Sequence, residues 1–184
     1  MGKKVPLRLH QEDFAQALGI TASQKYEKNG KDYLADVFEL IKNYSSNPIE
    51  DQIRLWDLCI FNYLIGNTDN HVKNIALLYS EDLKGIRLAP AYDLLSTVIY
   101  DSSTEKMSLN IDGEYDIRNI NQKSFENEAK KLGLGKGIAT QHFLSMVEKF
   151  EMALEQSTYE LEEQGYGVAV DIQKQILKKA GIHN

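Results

Sequence analysis

The stretch "YLIGNTDNHVKNIALLY", residues 63–79, decides how the centre of this chain folds. An apolar segment runs into the polar loop Gly-Asn-Thr-Asp-Asn-His-Val-Lys-Asn, and a second apolar segment follows. Gly66 suits the end of a helix, because glycine adopts the left-handed conformation of a C-terminal cap without a steric penalty. The stretch therefore predicts a helix, a polar loop and a strand, in that order.

The helix before the loop has a well-marked beginning. Asn47 is a candidate N-cap, Pro48 suits the first helical position, and Glu50 lies three residues after the cap, as in a capping box. The helix should run to about Ile65, and its second half is apolar on nearly every side, which is typical of a buried helix. The loop should therefore sit on a rigid support, where catalytic groups are commonly held.

Hydrophobic patterning predicts a mainly α domain with one small β-hairpin. Short apolar runs at residues 74–80 and 85–90, separated by the turn-like "EDLKG", predict the hairpin. Apolar residues at spacings of three and four, with their flanking stop signals, predict further helices. These helices should cover residues 12–18, 32–44, 125–132, 138–164 and 168–180.

Length and composition are those of an ordinary globular domain. The 184 residues are expected to form one domain, 1–184, with 42% hydrophobic and 26% charged residues. The net charge of −6 argues against direct nucleic-acid binding through bulk electrostatics. No run reaches the roughly 20 apolar residues of a transmembrane helix. The single cysteine, Cys59, has no internal disulfide partner. We therefore expect a soluble, cytoplasmic protein that does not bind membranes.

Three classes of chemistry could use the polar loop. A zinc hydrolase needs several ligands, yet His71 has only the distant His10 and His142 and no HxxxH or HExxH spacing. A nucleophilic triad needs a Ser or Cys on an elbow such as GxSxG, which the sequence lacks. Phosphoryl transfer is the third class, and the residue spacing does not argue against it. The loop could also be purely structural, with Asn67 and Asp69 making side-chain turns.

Phosphoryl transfer uses an Asp beside the acceptor hydroxyl, an Asn five residues later on Mg²⁺, and a second metal-binding Asp. Asp69 and Asn74 have this spacing, and Asp93 in "AYDLLS" supplies the second carboxylate. Mg²⁺ prefers oxygen ligands and takes one or two carboxylates from the protein. Lys73 would be a point charge for the transferred group. We expect the side chains of Asp69, Asn74 and Asp93 to converge on one cleft.

The segments "GNTDNHVKN" and "LAPAYDLLS" together resemble the signature of the HipA-like kinases, bacterial serine/threonine protein kinases best known as toxins of toxin–antitoxin pairs. The resemblance extends upstream to "LRLHQEDFAQALGI" and "QKYEKNG", and so covers residues 7–96.

The resemblance implies the C-lobe of a protein kinase that uses ATP and Mg²⁺. Asp69 would be the catalytic base, and Asn74 and Asp93 would bind the metal. His71 and Lys73 also match the motif and are expected among the catalytic residues with Asp69. Lys73 would also bind phosphate, and His71 would act by orienting the loop.

The resemblance also implies that part of the kinase is absent from this chain. A kinase needs a nucleotide-binding lobe with a phosphate-gripping loop, and in this family that lobe precedes the segments found here. Only 68 residues precede Asp69, and they match C-lobe segments. "GLGKG", residues 133–137, lacks the spacing of a phosphate loop and is interpreted as a helix stop and linker.

Two functions of different classes remain open. The chain could be the catalytic C-lobe of a kinase that phosphorylates a protein substrate once an N-lobe chain is supplied, with a DNA-binding antitoxin as a further partner. Alternatively, it could be a non-catalytic kinase-like module that binds a toxin–antitoxin partner. The preserved Asp69, Lys73, Asn74 and Asp93 favour the first.

Overall fold

The structure is a computed structural model that describes residues 7–27 and 30–180, so that Lys28 and Asn29 of the "QKYEKNG" segment lie outside the described residues. The described residues are mostly helical, as predicted. The strands are β1 (Gln11–Asp13), β2 (Ala76–Tyr79), β3 (Ile86–Leu88), β4 (Lys106–Ile111) and β5 (Glu114–Asp116). The helices are α1 (Phe14–Ala17), α2 (Tyr33–Tyr44), α3 (Pro48–Ile65), α4 (Gln122–Lys131), α5 (Lys136–Glu163) and α6 (Ala169–Lys179).

Helix α3 is the centre of the core, and its predicted burial is confirmed. Leu55, Trp56, Ile60 and Leu64 of α3 are all fully buried. The indole nitrogen of Trp56 donates a hydrogen bond to the carbonyl of Ala139 on α5, at 3.1 Å. The helix packs against both α2 and α5. Its C-terminal end, which leads into the polar loop, is therefore held by the core.

Aromatic rings tie α4 to this central helix. The ring of Phe125 lies 5.5 Å from that of Trp56, 5.2 Å from that of Tyr63 and 4.8 Å from that of Phe143 on α5. The hydroxyl of Tyr63 donates to the carbonyl of Ile120, just before α4, at 2.7 Å. The three helices predicted for the second half of the chain are confirmed, with boundaries shifted by one to three residues.

The hairpin predicted after the loop is confirmed as β2 and β3. Strand β1 pairs antiparallel with β2, which makes a three-stranded sheet in the order β1-β2-β3. The prediction of a helix from residue 12 is wrong at its start, because Gln11–Asp13 pairs with β2. Asp13 caps α1 instead: its Oδ1 accepts from the backbone nitrogen of Gln16 at 2.8 Å.

A second hairpin, β4 and β5, was not predicted. Its turn is Asp112-Gly113, and both residues have positive φ, 57° and 81°. The Asp-Gly pair is a strong short-range signal for a type I′ turn, and this signal could have predicted the hairpin. This hairpin packs beside α4, where the buried carboxylate of Glu128 accepts from the backbone nitrogen of Asp112 at 2.7 Å.

Cys59 lies on α3, where it is buried and forms no disulfide, as expected for a single cysteine in an apolar stretch of sequence. Burial raises the pKa of its thiol to about 12, so the side chain stays protonated and packs as a small apolar group. Within the described parts of the chain, no helix is both long enough and apolar enough to cross a membrane.

The start of α3 is anchored by a buried carboxylate and not by the predicted capping box. Asn47 makes no side-chain cap, and its amide donates instead to the side chain of Glu50 at 2.5 Å. Asp51 is fully buried and accepts from Arg87 Nε and from the backbone nitrogen of Leu88, each at 2.9 Å. Burial alone would raise the pKa of Asp51, but these hydrogen bonds and the Arg87 charge hold it below its usual value. Asp51 therefore ties α3 to β3.

We expect Asp51→Asn to lower the free energy of unfolding at pH 7 by about 2–4 kcal/mol, because a buried charged partner of Arg87 is lost. Because the pKa of Asp51 is lower in the folded than in the unfolded state, this stabilisation is present above about pH 4 and disappears as the pH falls further. Urea unfolding at several pH values measures both effects.

The matched control is Glu50→Gln, which removes the exposed ion pair of Glu50 with Arg87. That change should cost less than about 1 kcal/mol. Equal losses for the two variants would contradict the anchoring role of Asp51.

Candidate functional site

The polar loop, residues 66–74, lies between α3 and β2 and is largely buried despite its composition. Five of its polar residues expose less than a tenth of their surface: Asn67, Thr68, Asn70, His71 and Asn74. Buried polar groups are costly unless they are hydrogen-bonded, so the fold of this loop is fixed by its internal bonds.

Gly66 ends α3 in the left-handed conformation, at φ +68°, as predicted. Its carbonyl accepts from the backbone nitrogens of Thr97 and Val98 at 3.0 and 3.1 Å. A Cβ at this position would lie 2.3 Å from Val98 Cγ2. Both the conformation and the close approach of residues 97–98 therefore require glycine here.

Asn67 joins three parts of the site through one buried amide. Its Nδ2 donates to Asn62 Oδ1 on α3 at 2.7 Å and to the carbonyl of Asp93 at 3.2 Å. Its Oδ1 accepts from the backbone nitrogen of Asp69 at 3.3 Å. From the sequence, Asn67 is expected only to form a side-chain turn. The structure makes it the link between Asp69 and Asp93.

Asp69 is half-buried, and its backbone is fixed by neighbours in the loop. Its carbonyl accepts from His71 N at 2.9 Å and from Asn74 Nδ2 at 3.1 Å. Its carboxylate Oδ1 accepts from the hydroxyl of Tyr26 at 2.8 Å. The second oxygen, Oδ2, receives no hydrogen bond from the residues that the structure describes. Asp69 therefore has one carboxylate oxygen that is free to accept a hydrogen bond, on a backbone that the loop holds in place.

Asn74 and the backbone of Asp93 both belong to the hydrogen-bonded network around Asp69. The nitrogen of the Asn74 amide is taken by the carbonyl of Asp69, which leaves Oδ1 as its free end. Asp93 is exposed and has a positive φ of 55°, which is uncommon outside glycine. One carboxylate and one amide oxygen are a donor set that suits Mg²⁺ when phosphate and water complete the coordination. In the described ranges, no group of three or more His, Cys, Asp or Glu could hold a metal.

His71 lies inside the support of the loop. It is 5% exposed, and its Nε2 lies 2.7 Å from Lys25 Nζ. Because Lys can only donate, Nε2 is the acceptor and Nδ1 carries the proton. Burial and then the nearby charge of Lys25 lower the pKa of His71, so the imidazole is neutral at pH 7. These contacts suit a positioning role for His71.

Lys73 lies at the outer side of the loop and is half-exposed. Its carbonyl accepts from the hydroxyl of Tyr92 at 2.7 Å, which ties the loop to the residue before Asp93. The segment that carries Asp93, a candidate metal ligand, is thereby bonded to the backbone of Lys73, the candidate phosphate-binding residue.

A segment before α2 clamps the loop from the other side. Lys25 contacts His71 and Tyr26 contacts Asp69, as described above. The carboxylate of Glu27 accepts from the backbone and side-chain nitrogens of Asn110 on β4, at 2.8 and 2.7 Å. In the sequence, Lys25, Tyr26 and Glu27 stand out only through the family resemblance of their segment. No periodicity could have found contacts that span more than 40 residues.

A cavity of about 640 Å³ opens beside Asp69. Aromatic and apolar side chains form much of its wall, together with Asp69 itself: Tyr26, Leu95, Tyr100, Met107 and Tyr115. Asp69 therefore borders a space that can hold another molecule.

Comparison with known proteins places the chain in a family. The profile of the family described as "HipA-like C-terminal domain" matches residues 3–156. The chain is 28% identical over 164 residues to the "Serine/threonine-protein kinase toxin HipA" of Shewanella oneidensis, a match that covers 83% of this chain and 37% of that protein. It is 37% identical over 141 residues to the "Putative kinase Y4mE" of Sinorhizobium fredii, covering 77% of this chain and 33% of that protein.

The fold is also that of a solved structure. A chain in the complex of the Shewanella oneidensis toxin–antitoxin proteins HipA and HipB with operator DNA superposes with a TM-score of 0.82 at 24% identity, over 97% of this chain and 44% of that one. The chain spans about a third of the length of the curated relatives that it matches. Because the family profile covers most of its residues, the chain belongs to the HipA-like C-terminal domain family.

Proposed function

We propose that this chain is the catalytic C-terminal lobe of a HipA-like serine/threonine kinase, which transfers the γ-phosphoryl group of ATP to a hydroxyl of a protein substrate. The observation that carries the proposal is the hydrogen-bonded connection of Asp69, Asn74 and Asp93 through the Asn67 amide and the Asp69 carbonyl. Relatives named as kinases support it.

Asp69 is the proposed catalytic base. Its free Oδ2 would accept the proton of the acceptor hydroxyl while the hydroxyl oxygen attacks the γ-phosphorus, and the bond from that phosphorus to ADP breaks. The three hydrogen bonds to the backbone of Asp69 hold this carboxylate in place, so that the acceptor is oriented as well as deprotonated.

Asn74 and Asp93 are the proposed metal ligands, through Asn74 Oδ1 and the exposed Asp93 carboxylate. Bound Mg-ATP would supply the phosphoryl group and a metal charge that neutralises its oxygens. Lys73 would contribute a point charge next to the same group. His71 would keep the loop in shape through its contact with Lys25.

The nucleotide-gripping lobe is proposed to lie in the part of the relatives that this chain does not cover. A DNA-binding antitoxin is proposed as a further partner, since the superposed chain comes from a complex of HipA with HipB and DNA. With its net charge of −6, this chain itself is not expected to contact DNA. The proposed compartment is the cytoplasm, where a free, buried thiol such as Cys59 stays reduced.

The first test is reconstitution with the nucleotide lobe from the same source. The complex should transfer radiolabelled phosphate from ATP to a protein Ser or Thr, because two docked lobes can position the reactants without a covalent link. Asp69→Asn should lower the rate by at least about 100-fold, the usual contribution of a general base. Asp171→Asn on α6 is the matched control, because that carboxylate is exposed and forms an ion pair with Lys174.

If the complex labels no protein, or if Asp69→Asn is as active as the parent, the enzyme proposal fails. The better account would then be a kinase-like module that binds a toxin–antitoxin partner without phosphorylating it.

A second test concerns the metal. Asp93→Asn should raise the Mg²⁺ concentration needed for half-maximal phosphate transfer, because one of two protein ligands loses its charge. A Mg²⁺ titration of the rate measures this effect. An unchanged Mg²⁺ requirement, with Asp171→Asn as the reference, would remove Asp93 from the metal site.

A third test concerns the division into lobes. This chain alone should bind Mg-ATP only weakly, because the adenine pocket and the phosphate loop normally supply most of the contact area. Isothermal titration calorimetry measures the affinity directly. Micromolar binding by the isolated chain would show that the nucleotide site lies within it.

A further inference from the structure

We propose that Tyr26 is a positioning residue that fixes the carboxylate of Asp69 for the acceptor hydroxyl. This inference rests on the proposed kinase function. Its starting point is the 2.8 Å hydrogen bond from the Tyr26 hydroxyl to Asp69 Oδ1, across 43 residues of sequence.

The bond fixes the one part of Asp69 that the loop leaves free. The loop holds the backbone of Asp69 through Asn67, His71 and Asn74. Among the described residues, only Tyr26 donates a hydrogen bond to the carboxylate itself. Without it, the side chain could rotate about two bonds and present either oxygen. A hydrogen bond to a charged acceptor is strong enough to select one orientation.

The same bond leaves the catalytic oxygen available. A carboxylate has two oxygens and about four acceptor sites, so one phenol occupies only part of it. Tyr26 takes Oδ1, and Oδ2 remains for the acceptor hydroxyl. Tyr26 therefore decides which oxygen is presented.

Tyr26 is itself held from both sides, although it is 46% exposed. Lys25 contacts His71 and lies 4.7 Å from the centre of the Tyr26 ring. His71 meets that ring edge-on, with ring centres 5.4 Å apart. On the other side, Glu27 is bonded to Asn110. These contacts suit a side chain that is held in place beside Asp69 better than a mobile side chain that blocks the site.

Tyr26 also lies where the Ser or Thr that accepts the phosphoryl group would enter the site. It shares the wall of the 640 Å³ cavity with Asp69, Leu95 and Met107. A Ser or Thr flanked by an apolar residue could place its hydroxyl on Asp69 and its neighbour against this wall. The cavity therefore lies on the acceptor side of Asp69, and Tyr26 orients the carboxylate toward it.

The first experiment tests the contact without any need for activity. Tyrosines of the isolated chain are labelled with carbon-13 at the phenol carbon, and their NMR signals are compared among variants. Asp69→Asn should shift the signal of Tyr26, because the charged acceptor of its hydroxyl is lost, whereas Asp171→Asn should not. An unshifted Tyr26 signal would overturn the proposal.

The second experiment measures kinetics in the reconstituted complex. Tyr26→Phe should lower kcat about tenfold and leave the KM for ATP unchanged, because a misoriented base slows transfer without affecting nucleotide binding. The matched control is Tyr33→Phe, which removes a 3.0 Å bond from a tyrosine hydroxyl to the carbonyl of Gln24 in the same segment. It should lower the melting temperature but keep kcat within about twofold of the parent.

The possible outcomes separate the two proposals. If the Tyr26→Phe complex has the parental kcat, the positioning role is overturned. If its kcat is higher than that of the parent, Tyr26 blocks Asp69 instead of positioning it. Equal losses of kcat in Tyr26→Phe and Tyr33→Phe would show that the segment matters only for stability, which also overturns the role. If Asp69→Asn does not lower the rate, the kinase proposal itself fails, and the positioning role fails with it.

Discussion

The side-chain amide of Asn67 is the interaction on which the arrangement of the site depends. It is buried and bonded at once to Asn62 in the central helix, to the backbone of Asp69 and to the backbone of Asp93. Removing it would leave the buried Oδ1 of Asn62 without this donor, at a cost of about 1–3 kcal/mol. No apolar residue of similar size could join the same three segments. This amide, together with the contact of Tyr92 with Lys73 and that of residues 97–98 with Gly66, therefore holds the backbone of Asp93 against the loop that carries Asp69.

That amide is effective because the elements around it are rigid. Helix α3 is packed along its length, and Gly66 turns the chain at its end with a carbonyl that binds residues 97–98. The hydroxyl of Thr97 also binds the carbonyl of Gly66 and contacts Thr68. From the second hairpin, Ser108 donates to the carbonyl of Thr68 at 2.7 Å. The hairpin missing from the sequence prediction thus supports the loop that the sequence singled out.

Local signals explain what could be predicted. The confirmed predictions rest on signals that act within a few residues: Pro48 at the first position of α3, the apolar second half of that helix, its glycine stop, and the hairpin of β2 and β3. The predicted capping box of Asn47 and Glu50 is not formed. Non-local pairing explains the failures: β1 forms because a strand more than 60 residues later offers it an edge. The roles of Asp51, Asn67 and Tyr26 depend on partners 26 to 43 residues away. No spacing in a single sequence encodes such contacts.

The site divides into a rigid half and an open half. Asp69 and Asn74 belong to a buried loop, whereas Asp93 is exposed and strained at φ +55°. Beside Asp93, Tyr92 and Leu94 expose 36% and 42% of their surface. Exposed apolar residues grouped around a charged functional residue are typical of a surface that another structural unit covers. This asymmetry fits the proposal that the acceptor side of the site is complete in this chain, whereas the metal side is completed by a nucleotide lobe outside it.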